Sequence, residues 1–132
     1  MKMCLNNSDN DQNLTILVNT KYSRITIHKS TLKALREPAF IQLGYNAGKR
    51  RLMLFGVDTP SQNTIRIRLN KKGYCYIHSK SFMEGLMSVS DSMKEQGTYL
   101  LKGELDKQLT AAYFSLSEAE KCFDYADKGE ER

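Results

Sequence analysis

No run of apolar residues in this 132-residue sequence comes near the roughly 20 that a membrane-crossing helix requires. The opening stretch, Met1-Lys2-Met3-Cys4-Leu5-Asn6-Asn7-Ser8, lacks the apolar core of a secretion signal. Cysteine is scarce: Cys4, Cys75 and Cys122 lie far apart, odd in number and without CxxC spacing. That argues against a disulfide framework and for free thiols in a reducing cytoplasm. No Gly-x-Ser-x-Gly nucleophile motif occurs. Gly44-Tyr45-Asn46-Ala47-Gly48-Lys49-Arg50 superficially looks like a phosphate-binding loop but fails as one. It has three residues between the glycines instead of four, no Ser or Thr after Lys49, and a strand pattern where a helix should follow. The expectation is a cytoplasmic protein that is not an enzyme and needs no cofactor.

What is present suits one globular domain. The apolar content is 40% and the aromatic content 9%, enough for a core in a chain of this length. The net charge of +5 is a cancellation. Residues 21–80 hold 13 basic and two acidic residues, whereas residues 81–132 hold six basic and 11 acidic ones. So basic a middle section is an electrostatic footprint for a polyanion. Its competing explanation is a solvated surface offset by the acidic part after folding.

Periodicity then divides the chain. Residues 1–13 read as a disordered polar tail. Leu14–Asn19 and Tyr22–Ile27 read as strands, the second with Arg24 and Thr26 alternating with Ile25 and Ile27. Ser30–Arg36 reads as a short helix stopped by Pro38. Ala39–Tyr45 and Arg51–Val57 read as a hairpin in which Gly48 supplies a positive φ. After a loop, Thr64–Leu69 places Ile65, Ile67 and Leu69 on one face and Arg66 and Arg68 on the other. Tyr74–Ile77 follows the turn Asn70-Lys71-Lys72-Gly73. A longer helix is expected to open at Ser81 with Glu84 as a capping box, and Thr98–Leu105 and Leu109–Leu116 form a last hairpin. Ser117-x-x-Glu120 reads as a second capping box that opens a C-terminal helix including Phe123 within 117–132.

This is one pattern twice, β-β-α-β-β over 14–57 and again over 64–116. Asn19 and Asn70 hold the first turns, 51 positions apart, and Ile27-His28 and Ile77-His78 end the second strands, 50 apart. Gly44 and Gly103, like Phe55 and Phe114, are 59 apart, with the longer second helix between. Such an offset pattern predicts a mainly β duplicated domain, two copies about a pseudo-twofold axis.

The stretch Asn19-Thr20-Lys21-Tyr22-Ser23-Arg24-Ile25-Thr26-Ile27-His28-Lys29-Ser30-Thr31-Leu32-Lys33-Ala34-Leu35 resembles the AbrB/SpoVT-type swapped-hairpin domain. That family has Ile-Pro where this chain has Ile27-His28 and Ile77-His78, and Gly where this chain has Ser23. The resemblance implies a swapped-hairpin barrel that binds DNA, with Arg24 and Lys33 at the family's basic positions and Cys75 and Glu84 at the matching places of the second copy. The chain also looks like small proteins encoded by phages and integrated elements of bacteria.

The candidate phosphate-binding residues sit at strand ends and turns: Lys21, Arg24, Lys33, Lys49, Arg50, Arg51, Arg66, Arg68, Lys71 and Lys72. Edge-strand charges that prevent aggregation are the competing explanation. Tyr22, Tyr45, Tyr74 and Tyr76 lie among them and are candidates for stacking on bases. His28 and His78, the only histidines, occupy equivalent positions where a pseudo-twofold axis would bring them near one another and Cys75. Two histidines and one thiol make a thin ligand set, and no metal is expected. The resulting expectation is a small transcriptional regulator gripping duplex DNA, as a monomer or homodimer. The alternative is a non-enzymatic inhibitor that binds a host protein or a small phosphorylated ligand.

Overall fold

Alternating β-branched and aromatic residues produce strands wherever the chain can bury one face of each. The computed structural model describes residues 14–90, 92–106, 108 and 110–122. The polar tail expected over 1–13, with Cys4, lies outside them, as do Leu109 and Phe123.

The fold is mainly β, a curled antiparallel sheet of half-barrel form. In chain order the elements are β1 (Leu14–Asn19), β2 (Arg24–His28), α1 (Lys29–Ala34), β3 (Phe40–Asn46), β4 (Arg51–Val57), β5 (Thr64–Arg66), β6 (Tyr74–His78), α2 (Lys80–Val89), β7 (Thr98–Asp106), β8 (Ala111–Ser115) and β9 (Glu120–Lys121). The strand order is β5-β3-β4-β8-β7-β1-β2-β6, with β9 paired to β7. Inward-facing residues of the strands meet Leu32 and Leu35 from the first helical segment and Met83 and Leu86 from α2 in one core. No helix among the described residues is long and apolar enough to cross a membrane.

Both helices start one residue before the sequence signal and are capped one residue earlier still. His28 caps α1, its Nδ1 accepting from the Ser30 N–H at 3.2 Å. Ser79 caps α2, its Oγ accepting from the Phe82 N–H at 3.2 Å, so Ser81 lies inside the helix. The expected positive φ at Gly48 falls instead on Arg50, at 54°. The expected strand 64–69 is a ladder only over Thr64–Arg66, although the Ile67 N–H still reaches the Ala39 carbonyl at 3.1 Å. Leu69, expected on the buried face with Ile65 and Ile67, is 49% exposed. The helix expected from Ser117 does not open within 117–122. Ser117 and Glu118 turn the chain, and Glu120 and Lys121 pair with Leu100 and Tyr99. A tertiary ladder with an open strand outcompetes the local capping signal.

Two asparagines shape the hairpin turns. Asn19 Oδ1 accepts from the Tyr22 N–H at 2.9 Å, while its Nδ2 donates to Thr98 Oγ1 at 3.1 Å. Asn70 Oδ1 accepts from the N–H groups of Lys72 and Tyr74, each at 2.9 Å. Both are Asx-type turns, in which a short amide replaces a backbone acceptor.

Candidate nucleic-acid interface

The most pronounced grouping of aromatic and cationic side chains lies on the ribbon of β2 and β6. Its register places Arg24 opposite His78, Thr26 opposite Tyr76 and His28 opposite Tyr74. Period-two alternation sends Ile25, Ile27, Cys75 and Ile77 into the core and leaves the other six side chains on the opposite face, where Thr26 is itself buried. The Tyr74 and Tyr76 rings stack with centroids 6.4 Å apart, and His28 meets Tyr74 edge-on at 5.0 Å. The Arg24 guanidinium lies 5.4 Å from the Tyr76 centroid and 5.8 Å from that of Tyr22, while Lys21 Nζ is 5.3 Å from Tyr22. These are cation–π distances, and they hold the cations against flat apolar surfaces.

Each end of the ribbon is basic. Lys21 and Arg24 mark one end. At the other, the Lys29 N–H donates to the Gly73 carbonyl at 2.8 Å, bringing Lys29 beside the turn that carries Lys71 and Lys72. Gly73 needs its φ of 85° there, and a Cβ would meet the Lys29 side chain at 2.9 Å.

The other candidate cations are elsewhere. Lys49 and Arg50 occupy the β3–β4 turn, and Arg51 opens β4, where it covers the Tyr113 ring at 5.3 Å. Arg66 lies over Phe40 at 5.8 Å on β5, and Arg68 is exposed in the segment after it. Lys33 is exposed on α1. Tyr45 belongs to the fold instead: it packs edge-on against Phe82 at 5.7 Å, and Gly85 leaves room for its hydroxyl. His28 and His78 sit at opposite ends of the ribbon, so the expected approach of the two histidines does not occur. Among the described residues no group of three His, Cys, Asp or Glu is placed to hold a metal. Burial pushes the Cys75 thiol above its usual range, and a backbone hydrogen bond from Arg68 opposes that shift.

Two cations escaped the sequence reading. Lys29 joins the basic end through its bond to Gly73, and Lys102 reaches the outer face opposite Thr15. The adjacency of Lys29 to His28 was a usable signal for the first. Nothing short of the strand order marks the second.

Comparison with family models, curated proteins and solved structures finds no match to the chain.

Proposed function

We propose that this protein is a small cytoplasmic DNA-binding regulator that grips duplex phosphates through the two basic ends of the β2·β6 ribbon. One observation carries the reading: Lys21 and Arg24 at one end and Lys29, Lys71 and Lys72 at the other flank a single outward strip of tyrosines. Five strand residues separate the ends by roughly 14 Å. A B-form major groove is about 12 Å wide and admits a two-stranded ribbon, with phosphates on either side. Lys and Arg at those ends supply salt-dependent affinity, and the central side chains face the groove floor.

We also read the barrel as a duplicated swapped-hairpin unit. Exchanging β1–β4 for β5–β8 turns the β1·β7 pair into β5·β3 and the β3·β4 hairpin into β7·β8. The pairs β2·β6 and β4·β8 map onto themselves. At the centre of the first, Thr26 faces Tyr76, 50 positions on. The counterpart of the β1·β2 hairpin is reduced to the Asn70–Tyr74 turn, its Asn70 N–H donating at 2.9 Å. These relations support one ancestral β-β-α-β-β unit present twice.

The test is fluorescence anisotropy of labelled duplex DNA across a salt series. Binding that weakens with salt, and weakens further with Lys71→Glu and Arg24→Ala, supports the reading. No binding at low salt would sink it and favour the alternative, a module that captures a protein or a phosphorylated ligand.

A further inference from the structure

Two hollows open on the outer face of the sheet on either side of the β7·β1 pair. The first, about 310 Å³, is walled by His28 and Tyr74 over Leu17, Thr26 and Leu100. The second, about 460 Å³, is lined by Lys49, Arg51, Glu104, Tyr113, Ser115 and Glu118. Thr15 belongs to the first and Lys102 to the second, and these two are direct cross-strand partners. The hollows therefore share a rim, and a lysine stands on it.

We propose that an unpaired strand of nucleic acid lies across β8, β7, β1 and β2, with a base in each hollow and a phosphate at Lys102. Each hollow offers one tyrosine ring beside one cationic or donor group. Tyr113 carries the Arg51 guanidinium, and Tyr74 meets the His28 imidazole. His28 Nδ1 is engaged by the Ser30 N–H, which leaves Nε2 as the ring nitrogen able to meet a base. Aromatic rings spaced along a cationic track are the physical requirement for holding unpaired bases, since every base has a π-face. Glu104 and Glu118 repel phosphate but accept hydrogen bonds from exocyclic amino groups, so the second hollow favours cytosine or adenine over thymine. Lys102 is 60% exposed, and its ion pair with Glu120 at 3.7 Å is a surface one that a phosphate readily replaces.

The inference shares with the duplex reading the class of polymer and the His28–Tyr74 edge of the ribbon, so its test turns on Tyr113 and Lys102, which lie outside that ribbon. It is tested with the full chain, a labelled cytosine-containing single strand, and the blunt duplex of the same sequence. Tyr113→Ala is expected to weaken single-strand binding by roughly five- to a hundredfold and leave duplex binding unchanged. Tyr113→Phe keeps the ring and retains the affinity. Lys102→Ala, at an exposed site outside the core, lowers the single-strand salt slope by about 0.7. Duplex binding without single-strand binding, or single-strand binding indifferent to both Tyr113→Ala and Lys102→Ala, overturns the inference and spares the duplex reading. Single-strand binding with these sensitivities and no duplex binding does the reverse.

Discussion

The guanidinium of Arg24 rests 5.4 Å from the ring centroid of Tyr76, a residue more than fifty positions away on the neighbouring strand. The contact fixes the direction of a cation at the ribbon's end and leaves its face against apolar surface. Replacing Arg24 by Ala should weaken duplex binding at low salt and reduce the slope of log K against log salt by about 0.9, the signature of one lost phosphate contact. Lys in its place should recover the slope but only part of the affinity, because ammonium lacks the planar face that stacks on Tyr76. Anisotropy titrations at several salt concentrations read both quantities.

Gly103 in β7 and Gly44 in β3 tolerate a methyl group differently. At Gly103 a Cβ would collide with the Tyr113 carbonyl oxygen and lie 2.5 Å from the Phe114 ring. At Gly44 the nearest atom would be the Met53 methyl at 3.5 Å, an ordinary contact. Gly103→Ala should destabilise by about 1–3 kcal/mol in urea denaturation, whereas Gly44→Ala should stay within about 0.5 kcal/mol.

Ser23 adopts a φ of 54°, in the left-handed region that glycine occupies freely. The residue before β6 is Gly73, with a φ of 85°. Relieving the left-handed cost of about 1–2 kcal/mol outweighs the extra chain entropy of glycine, about 0.5–1 kcal/mol. Ser23→Gly should therefore raise the denaturation midpoint slightly, and Ser23→Val should lower it.

The N-cap of α2 distinguishes two nearby serines. Ser79→Ala removes the acceptor for the Phe82 N–H and should cost about 1 kcal/mol. Ser81→Ala, on an exposed helical position, should be nearly neutral. Thermal melts of the two variants side by side provide the comparison.

Cys75 makes stability depend on alkaline pH. Its folded thiol ionises above the ordinary 9.0 because burial disfavours the thiolate. The unfolded chain therefore releases this proton first. The stabilisation is complete below the ordinary value and is lost as the pH rises through the folded one. Denaturation on either side of that range should show a steeper decline for the native chain than for Cys75→Ala.

The strands were legible because half-burial imposes a period of two. Ile25 and Ile27 are inside, Arg24 and His28 outside, as alternation requires. Helix starts were displaced because a histidine nitrogen and an earlier serine serve as caps, and no single residue type announces which acceptor will be used. The helix expected after β8 fails for a different reason. Glu120 satisfies the capping spacing, but an adjacent strand offers Leu100 as a pairing partner. The candidate site was legible as a list of cations and tyrosines and not as a surface. Arg24 meets Tyr76, and Lys102 meets Thr15, only through pairings between distant strands. Arg51 and Arg66 look equivalent to Arg24 in sequence, yet they lie over Tyr113 and Phe40 on other parts of the sheet.

The two residues of β9 have an outsized role for their length. They occupy the flank of β7 at Tyr99 and Leu100, beyond the reach of β8, and the Cys122 N–H adds a bond to the Thr98 carbonyl at 2.7 Å. Without them that stretch of β7 would present bare amide and carbonyl groups to any passing strand. Cutting the chain before Glu120 would thus turn a sealed margin into a sticky one, and self-association would be its first symptom, ahead of any loss of the core.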